Sequence, residues 1–320
     1  MDQALTRSIR HARAGGALRA LTLASVLALF ALITLGGVVR ITDSGLGCPD
    51  WPFCHGKVFP STDAATLIEY SHRMVATITG LLIFATALVI WRSHRSERWL
   101  LRPVTIAVFL LIVQVVLGGI TVQTELDNGL VMAHLAFAEA LLAVMIVVSV
   151  VTWSRLPSVT RSESGQRHKM QRPTLVLVAG AATFGLILTG AYVQASGATG
   201  ACGDSWPLCD GELLPGGRLA MIHMLHRILS LSVGVAIVAG VLQAWSLRGR
   251  QPILKMAALA VAGLFAAQMA VGGINVLMAF NQATNVLHIS AATAVWASLV
   301  LLAALAYPVP AANPGGSDAD

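Results

Sequence analysis

The stretch ALTLASVLALFALITLGGVV, residues 20–39, decides the fold, because it runs for twenty residues without a charge. As a helix, a run of this length crosses the hydrocarbon core of a bilayer. Seven further apolar runs follow at 67–91, 103–122, 130–153, 173–193, 219–245, 252–277 and 284–307. The sequence therefore predicts an all-α integral membrane protein with eight transmembrane helices.

Composition supports the same class. Of the 320 residues 56% are hydrophobic and 11% are charged, whereas soluble domains carry about 25% charged residues. These values exclude a soluble globular protein, a disordered chain and a disulfide-rich miniprotein. The net charge of +6 comes from basic residues in the short gaps between apolar runs. That pattern predicts a lipid bilayer around the protein and no nucleic acid as partner.

Positive charge predicts the orientation. Sixteen of the 21 Lys and Arg lie in segments 1–19, 92–102, 155–172 and 247–255, which share one side if eight helices are counted. By the positive-inside rule this side is the cytoplasm. We therefore expect a multi-pass protein of a bacterial plasma membrane, with both termini cytoplasmic and the long loops after the first and fifth runs on the outer face.

The two halves of the chain repeat at an offset of 154 residues. Equivalent pairs are Gly36 and Gly190, Cys48 and Cys202, His72 and His226, Gly118 and Gly272, and His134 and His288. The repeat predicts two tandem four-helix bundles, 20–153 and 173–307, related by a pseudo-two-fold axis along the membrane normal. The remaining segments are interpreted as a cytoplasmic N-terminal segment, 1–19, a cytoplasmic linker, 154–172, and a disordered cytoplasmic tail, 308–320.

Four of the nine histidines form repeat-related pairs within the spans, one or two turns from the outer ends: His72, His134, His226 and His288. A single one could be hydrogen-bonded to a neighbouring helix, but four at one depth in repeat-related pairs indicate function. Two imidazoles on facing helices can bind a haem iron from both sides. The sequence thus predicts two haem sites, one per bundle. A zinc or copper site needs more ligands, for which His223 is the available third histidine.

The repeat breaks next to the first histidine pair. Glu69 lies three residues before His72 and on the same helix face, and the second half has His223 in its place. A solvated helix-end charge is the plain alternative. The spacing favours proton chemistry or stabilisation of positive charge at the first site. We therefore predict a reactive first site and a second site for electron transfer.

Other charged residues lie near the predicted sites. Glu139 has no acidic counterpart in the second half and is predicted to form a structural ion pair, with Arg73 as its candidate partner. Arg40, Arg73 and Arg227 are candidate partners of haem propionates at the outer surface. Snorkelling towards water is an equally good interpretation of these arginines.

All four cysteines lie in the two outer loops, at Cys48 and Cys54 and at Cys202 and Cys209. Because an oxidising outer face permits disulfides, two bridges within the loops are expected. For the first pair, a structural bridge and a dithiol that cycles during turnover both stay open. For the second pair a structural bridge is favoured. The spacing does not match Cys-x-x-Cys-His, so covalent haem attachment is unsupported.

These motifs together resemble the haem A synthase family over residues 20–307. The resemblance is carried by GGVVRITDSGLGCPDWPFC at 36–54, EYSHR at 69–73, His134, WPLC at 206–209, the His226-Arg227 pair and His288. It implies oxidation of the C8 methyl group of haem O to a formyl group, which makes haem A for cytochrome oxidase. It further implies substrate haem on His72 and His134, a haem b cofactor with its iron on His226 and His288, a catalytic Glu69 and both loop disulfides.

The resemblance also implies partners. Haem O is the substrate, haem O synthase is its expected donor, and an electron-transfer partner of unknown identity is required. A homo-oligomer stays open. Two other functions are consistent with paired histidines: a di-haem membrane cytochrome that only transfers electrons, and a haem transporter or chaperone. Glu69 argues against the simple cytochrome, because an electron carrier needs no carboxylate there.

Overall fold

The computed structural model describes residues 2–57, 62–155, 173–247 and 252–307. Within these residues the regular structure is eight helices: α1 (Asp2–Ile41), α2 (Ala64–Ser93), α3 (Arg98–Gln123), α4 (Asn128–Arg155), α5 (Thr174–Ala195), α6 (Arg218–Leu247), α7 (Pro252–Leu277) and α8 (Gln282–Ala306). Each contains a stretch long and apolar enough to cross a membrane. The predicted all-α membrane fold with eight spans is confirmed.

The helix ends differ from the predicted spans mainly at the N-terminus. The backbone of α1 begins at Asp2, so most of the predicted segment 1–19 continues the first helix. Hydropathy marks the part of a helix that lies in lipid, and a polar extension leaves that signal unchanged. The predicted linker from residue 156 onward and the predicted tail, 308–320, lie outside the described residues.

Side-chain caps fix the start of two histidine-bearing helices. The Asp63 carboxylate accepts a hydrogen bond from the backbone N–H of Thr66 at the start of α2. The Asn281 side chain accepts one from Thr284 at the start of α8. Such caps satisfy backbone donors that have no partner within the helix. They therefore define where α2 and α8 begin relative to their histidines.

Each half of the chain packs as a ring of four helices. In the first half α1 contacts α2 and α4, and α3 contacts the same two helices. In the second half α5 and α7 each contact α6 and α8. The halves meet where α8 lies against α1 and α4, and where α4 lies against α5. A two-fold relation between the halves stays a prediction.

The interface between α4 and α8 overturns one prediction. Glu139 is fully buried, and its Oε1 accepts a hydrogen bond of 2.6 Å from the Thr293 hydroxyl, while its backbone carbonyl accepts one from Trp296. The predicted ion pair between Glu139 and Arg73 is therefore wrong. The reason is rotational: this face of α4 is turned towards α8, away from α2, which carries Arg73.

Apolar side chains fill each ring of helices towards the end that lies away from the cysteine-containing loops after α1 and α5. In the first half the fully buried residues include Ile83, Leu142 and Met145, and in the second half Ile237 and Leu299. Every one of them follows the histidine of its helix by eight or more residues. The apolar core thus fills one end of each ring and leaves the other end to the histidines.

Candidate functional site

The first histidine pair spans the first ring. His72 is on α2 and His134 is on α4, two helices that face each other across the ring without direct backbone contact. The structure thus brings this predicted pair together inside one bundle.

Glycines of the neighbouring helices make room for these rings. A Cβ placed on Gly36 of α1 would lie 3.2 Å from Cε1 of His72, and one on Gly118 of α3 would lie 3.5 Å from Cε1 of His134. A side chain at Gly36 would therefore push the His72 ring away, because that distance is shorter than ordinary van der Waals contact. All four helices of the ring contribute to the site.

The second half repeats this arrangement. His226 on α6 lies against Gly190 of α5, and His288 on α8 lies against Gly272 of α7, each at 3.2 Å from a Cβ placed on the glycine. The glycines that aligned in the sequence repeat thus have one shared role, which is to let an imidazole lie against a helix backbone.

The donor set of each pair fits a haem. No three side chains of His, Cys, Asp or Glu converge on a metal position anywhere in the described ranges, so a four-ligand zinc site has no support. A haem iron needs two axial ligands, because the porphyrin supplies the other four. The Nδ1 atoms of His72, His134 and His288 are buried without a partner among the described groups.

His223, the candidate third ligand, forms no group of three metal-ligating side chains within the described residues. Its ring is 5% exposed and packs against Phe280, with centroids 5.7 Å apart. It occupies the position that matches Glu69 in the repeat. The histidines of the second site therefore remain a pair.

Both cysteine-containing loops are closed by the expected disulfides, Cys48–Cys54 and Cys202–Cys209. In each loop the tryptophan ring lies on a glycine, Trp51 on Gly119 and Trp206 on Gly273. Each of these glycines follows the one that contacts the second histidine of its half. The loops are thereby folded over the histidine-bearing end of each ring.

A charged cluster attaches the first loop to α2. Arg73 donates hydrogen bonds to the backbone carbonyls of Cys48, Asp50 and Phe53 at 2.6–2.7 Å, and to Oε1 of Glu69 at 2.5 Å. The backbone N–H of Cys48 donates to Oε2 of Glu69 at 2.8 Å. Glu69 is 4% exposed. Both of its oxygens therefore join the disulfide loop to the helix that carries His72.

The second loop is held by its arginine without a carboxylate. Arg227 donates to the carbonyls of Ser205, Pro207 and Leu208 at 2.8–3.2 Å. Its Nη2 is buried and has no partner among the described residues. Arg40 donates to the side chain of Asn128 at 3.0 Å. The predicted contacts of these arginines with propionates stay predictions, and in the structure Arg73 and Arg227 bind loop carbonyls.

Asp50 stabilises the first loop from within. Its carboxylate accepts hydrogen bonds from the backbone N–H groups of Gly56 at 2.6 Å and His55 at 2.5 Å. These bonds, that of Gly56 first, hold the pKa of Asp50 below its ordinary value. The carboxylate therefore stays charged while it holds the turn that follows Cys54.

Sequence reasoning missed two features of the sites. One is the contact of each loop tryptophan with a glycine, although the aligned Gly-Gly pairs at 118–119 and 272–273 were a signal for it. The other is a hydrogen bond of 2.8 Å between Thr189 and Nδ1 of His226. The repeat alignment contained that signal too, because Leu35 occupies the matching position.

Comparison with known proteins gives a consistent result. The family model described as "Cytochrome oxidase assembly protein" matches residues 19–300. A "Heme A synthase" of Symbiobacterium thermophilum is 31% identical over 92% of this chain and 96% of its own length. Proteins of the same name from Shouchella clausii and Halalkalibacterium halodurans are 30% and 31% identical, over 82% and 67% of this chain and 88% and 70% of their own. The resemblance found in the sequence is confirmed, and the chain belongs to the haem A synthase family of cytochrome oxidase assembly proteins.

Proposed function

We propose that this chain is a haem A synthase, which oxidises the C8 methyl group of haem O to a formyl group and so provides haem A for cytochrome oxidase. One observation carries the proposal beyond family membership. Two histidine pairs share one architecture, and a buried carboxylate, Glu69, stands one turn from a ligand in the first half alone. Duplicated sites that differ by an ionisable group favour different roles for the two.

The first site binds the substrate and the second binds a resident cofactor. His72 and His134 hold the iron of haem O, and His226 and His288 hold a haem b. Support comes from the facing helices, the glycine contacts and the two-nitrogen donor set. When bound, the haem b supplies one-electron transfer for the oxidation of the substrate.

Glu69 handles protons at the substrate methyl group. The methyl carbon loses two electrons and gains one oxygen in each of two successive oxidations, and the resulting gem-diol loses water to give the formyl group. Protons leave the carbon in these steps, and a carboxylate one turn from His72 can accept them. Arg73 and the N–H of Cys48 orient this carboxylate through both of its oxygens.

The outer loops exclude water from the reacting group. Each is closed by a disulfide and lies with its tryptophan on the glycine beside a histidine. A lid over the site limits side reactions of oxidised intermediates. For Cys48–Cys54, a structural role is sufficient to explain these contacts.

We also propose the sidedness of the protein in a bacterial plasma membrane. Both termini lie in the cytoplasm and both cysteine loops lie outside, as the distribution of positive charge indicates. Haem O then enters the first bundle from the bilayer, delivered by haem O synthase, and a further protein exchanges electrons with the second site. A reporter active only outside the cytoplasm should work in the 48–54 loop and fail in 155–172. The opposite result would overturn the orientation.

The function is tested by the pigments that the protein holds and makes. Purified protein from cells that also express haem O synthase should contain haem b with haem O or haem A, separated by chromatography. Haem b alone, with no haem A in the membranes, would favour the di-haem electron carrier. Haem O that is bound and never converted would favour the transporter or chaperone.

A further inference from the structure

His226 differs from the other three membrane histidines because its Nδ1 has a partner. The Oγ1 of Thr189, on α5, lies 2.8 Å from this nitrogen. The same hydroxyl lies 2.8 Å from the backbone carbonyl of Leu186, one turn earlier on α5. The Nδ1 atoms of His72, His134 and His288 are buried and lack such a partner within the described residues.

This chain of hydrogen bonds assigns the proton of the His226 ring. A carbonyl can only accept, so the Thr189 hydroxyl gives its single proton to Leu186. The Oγ1 then accepts from His226, which places the ring proton on Nδ1. In a neutral imidazole the other nitrogen, Nε2, keeps its lone pair. His226 is therefore held in the tautomer and orientation that bind iron through Nε2.

The first half has a threonine one residue before the position that is equivalent to Thr189. Thr34-Leu35 stands where the second half has Leu188-Thr189. One residue along a helix is a rotation of about 100°, and Thr34 Oγ1 is buried without a partner in the described structure. His72 otherwise lies as His226 does, with its Cε1 3.2 Å from a Cβ placed on the glycine that follows this pair. The two sites thus share their backbone cradle and differ in the support of one ligand.

We propose that Thr189 is a positioning residue that makes the second site retain its haem, and that Leu35 leaves the first site free to exchange. The inference rests on the proposed function, which places haem at both histidine pairs. Hydrogen bonding at Nδ1 orients the ring and makes Nε2 a stronger base, which strengthens the iron bond. A site that must release its product needs a weaker iron–histidine bond, which a ligand without this hydrogen bond provides.

The first experiment removes the support at His226. Thr189→Val keeps the shape and removes the hydrogen bond, and we expect haem b to be lost about 10–100-fold faster to an excess of apomyoglobin. The midpoint potential of the haem should rise, because the weaker base favours ferric iron less. Thr189→Ser keeps a hydroxyl at this position and should behave as the wild type. Thr183→Val on the same helix, whose hydroxyl bonds only to the carbonyl of Ala179 among the contacts described, is the matched control.

The second experiment moves the support to the first half. The double variant Thr34→Leu/Leu35→Thr gives α1 the dipeptide of α5 without changing composition. We expect the purified protein to hold more haem at His72 and His134, and to release it more slowly to apomyoglobin than the wild type does. This gain keeps the inference testable if Thr189→Val does not fold.

The outcomes separate this inference from the proposed function. Unchanged haem retention and potential in Thr189→Val, or an unchanged first site in the double variant, would overturn the role of Thr189. If His226→Ala loses haem b at the same time, the proposed ligands still stand. Retention of haem b in His226→Ala would instead overturn the ligand set and with it the function proposed for the second half.

Discussion

The two halves of this protein share a framework and differ beside their histidines. Each half places two imidazoles against glycines, lays a loop tryptophan on a third glycine and ties a disulfide loop down with an arginine. The first half adds Glu69, and the second half adds Thr189. The comparison teaches that the shared residues form the cradle, whereas the proposed difference between a reactive and a retaining site depends on the residues that break the repeat.

The loops show the same difference. In the first half the N–H of Cys48 and the Arg73 guanidinium meet on the Glu69 carboxylate, so the loop, α2 and the site form one charged cluster. In the second half Arg227 has loop carbonyls alone as its described partners. The first loop is thereby bonded directly to the group proposed to handle protons.

The largest effect is expected at the iron ligands. His226→Ala or His288→Ala should remove haem b completely, because a bis-histidine iron loses an axial bond. His72→Ala should keep haem b and abolish haem A formation. Absorbance spectra of the purified variants measure both. Full haem b absorbance in the second-half variants would contradict the assignment of haem b to the second half.

Glu69→Gln tests the carboxylate of the first site. The substitution keeps size and polarity and removes the proton acceptor, so haem A formation should fall about 100-fold or more. Haem b should be retained, since its site is untouched. Haem chromatography on membranes that also contain haem O synthase measures the effect. His223→Gln, at the equivalent position, is the control and should form normal haem A. Normal haem A in Glu69→Gln would show that this break in the repeat is not catalytic.

Thr293→Val tests the contact between the halves. The variant leaves the buried Glu139 carboxyl without its hydroxyl partner, so the free energy of unfolding should fall by about 1–2 kcal/mol. Thermal unfolding in detergent measures this. Thr79→Val removes an equally buried hydroxyl that bonds within its own helix, and it should cost less. An equal decrease in the free energy of unfolding in both variants would mean that the hydrogen bond between α4 and α8 adds no more stability than one within a helix.

Asp50→Asn should have the smallest effect, confined to the first loop. An amide accepts weaker hydrogen bonds than a carboxylate, so the segment after Cys54 should exchange its amide hydrogens faster, as mass spectrometry can measure. Because the pKa of Asp50 is lowered in the fold, its bonds persist above the ordinary value of 3.8 and weaken only as the pH falls through the lower folded value. Asp204→Asn in the second loop is the control. Equal exchange in both variants would contradict the role of Asp50.

Much of the candidate site could be read from the sequence because the repeat exposes it. Alignment at 154 residues pairs the four histidines and the cysteines, and it isolates Glu69 as unmatched. The partner of Glu139 could not be read in this way. Charge alone points to Arg73, whereas the structure places Thr293 beside the carboxylate.

The sequence by itself determined the eight spans, the duplication of a four-helix unit and the two pairs of candidate histidine ligands. Lipid demands about 20 apolar residues per helix, and a repeat keeps equivalent residues equivalent in space. Only the tertiary structure decided which way each helix is turned about its axis. Helices that are apolar on nearly all sides carry little signal for that rotation. Rotation is what brings Glu139 to Thr293, Glu69 to the N–H of Cys48 and Thr189 to His226.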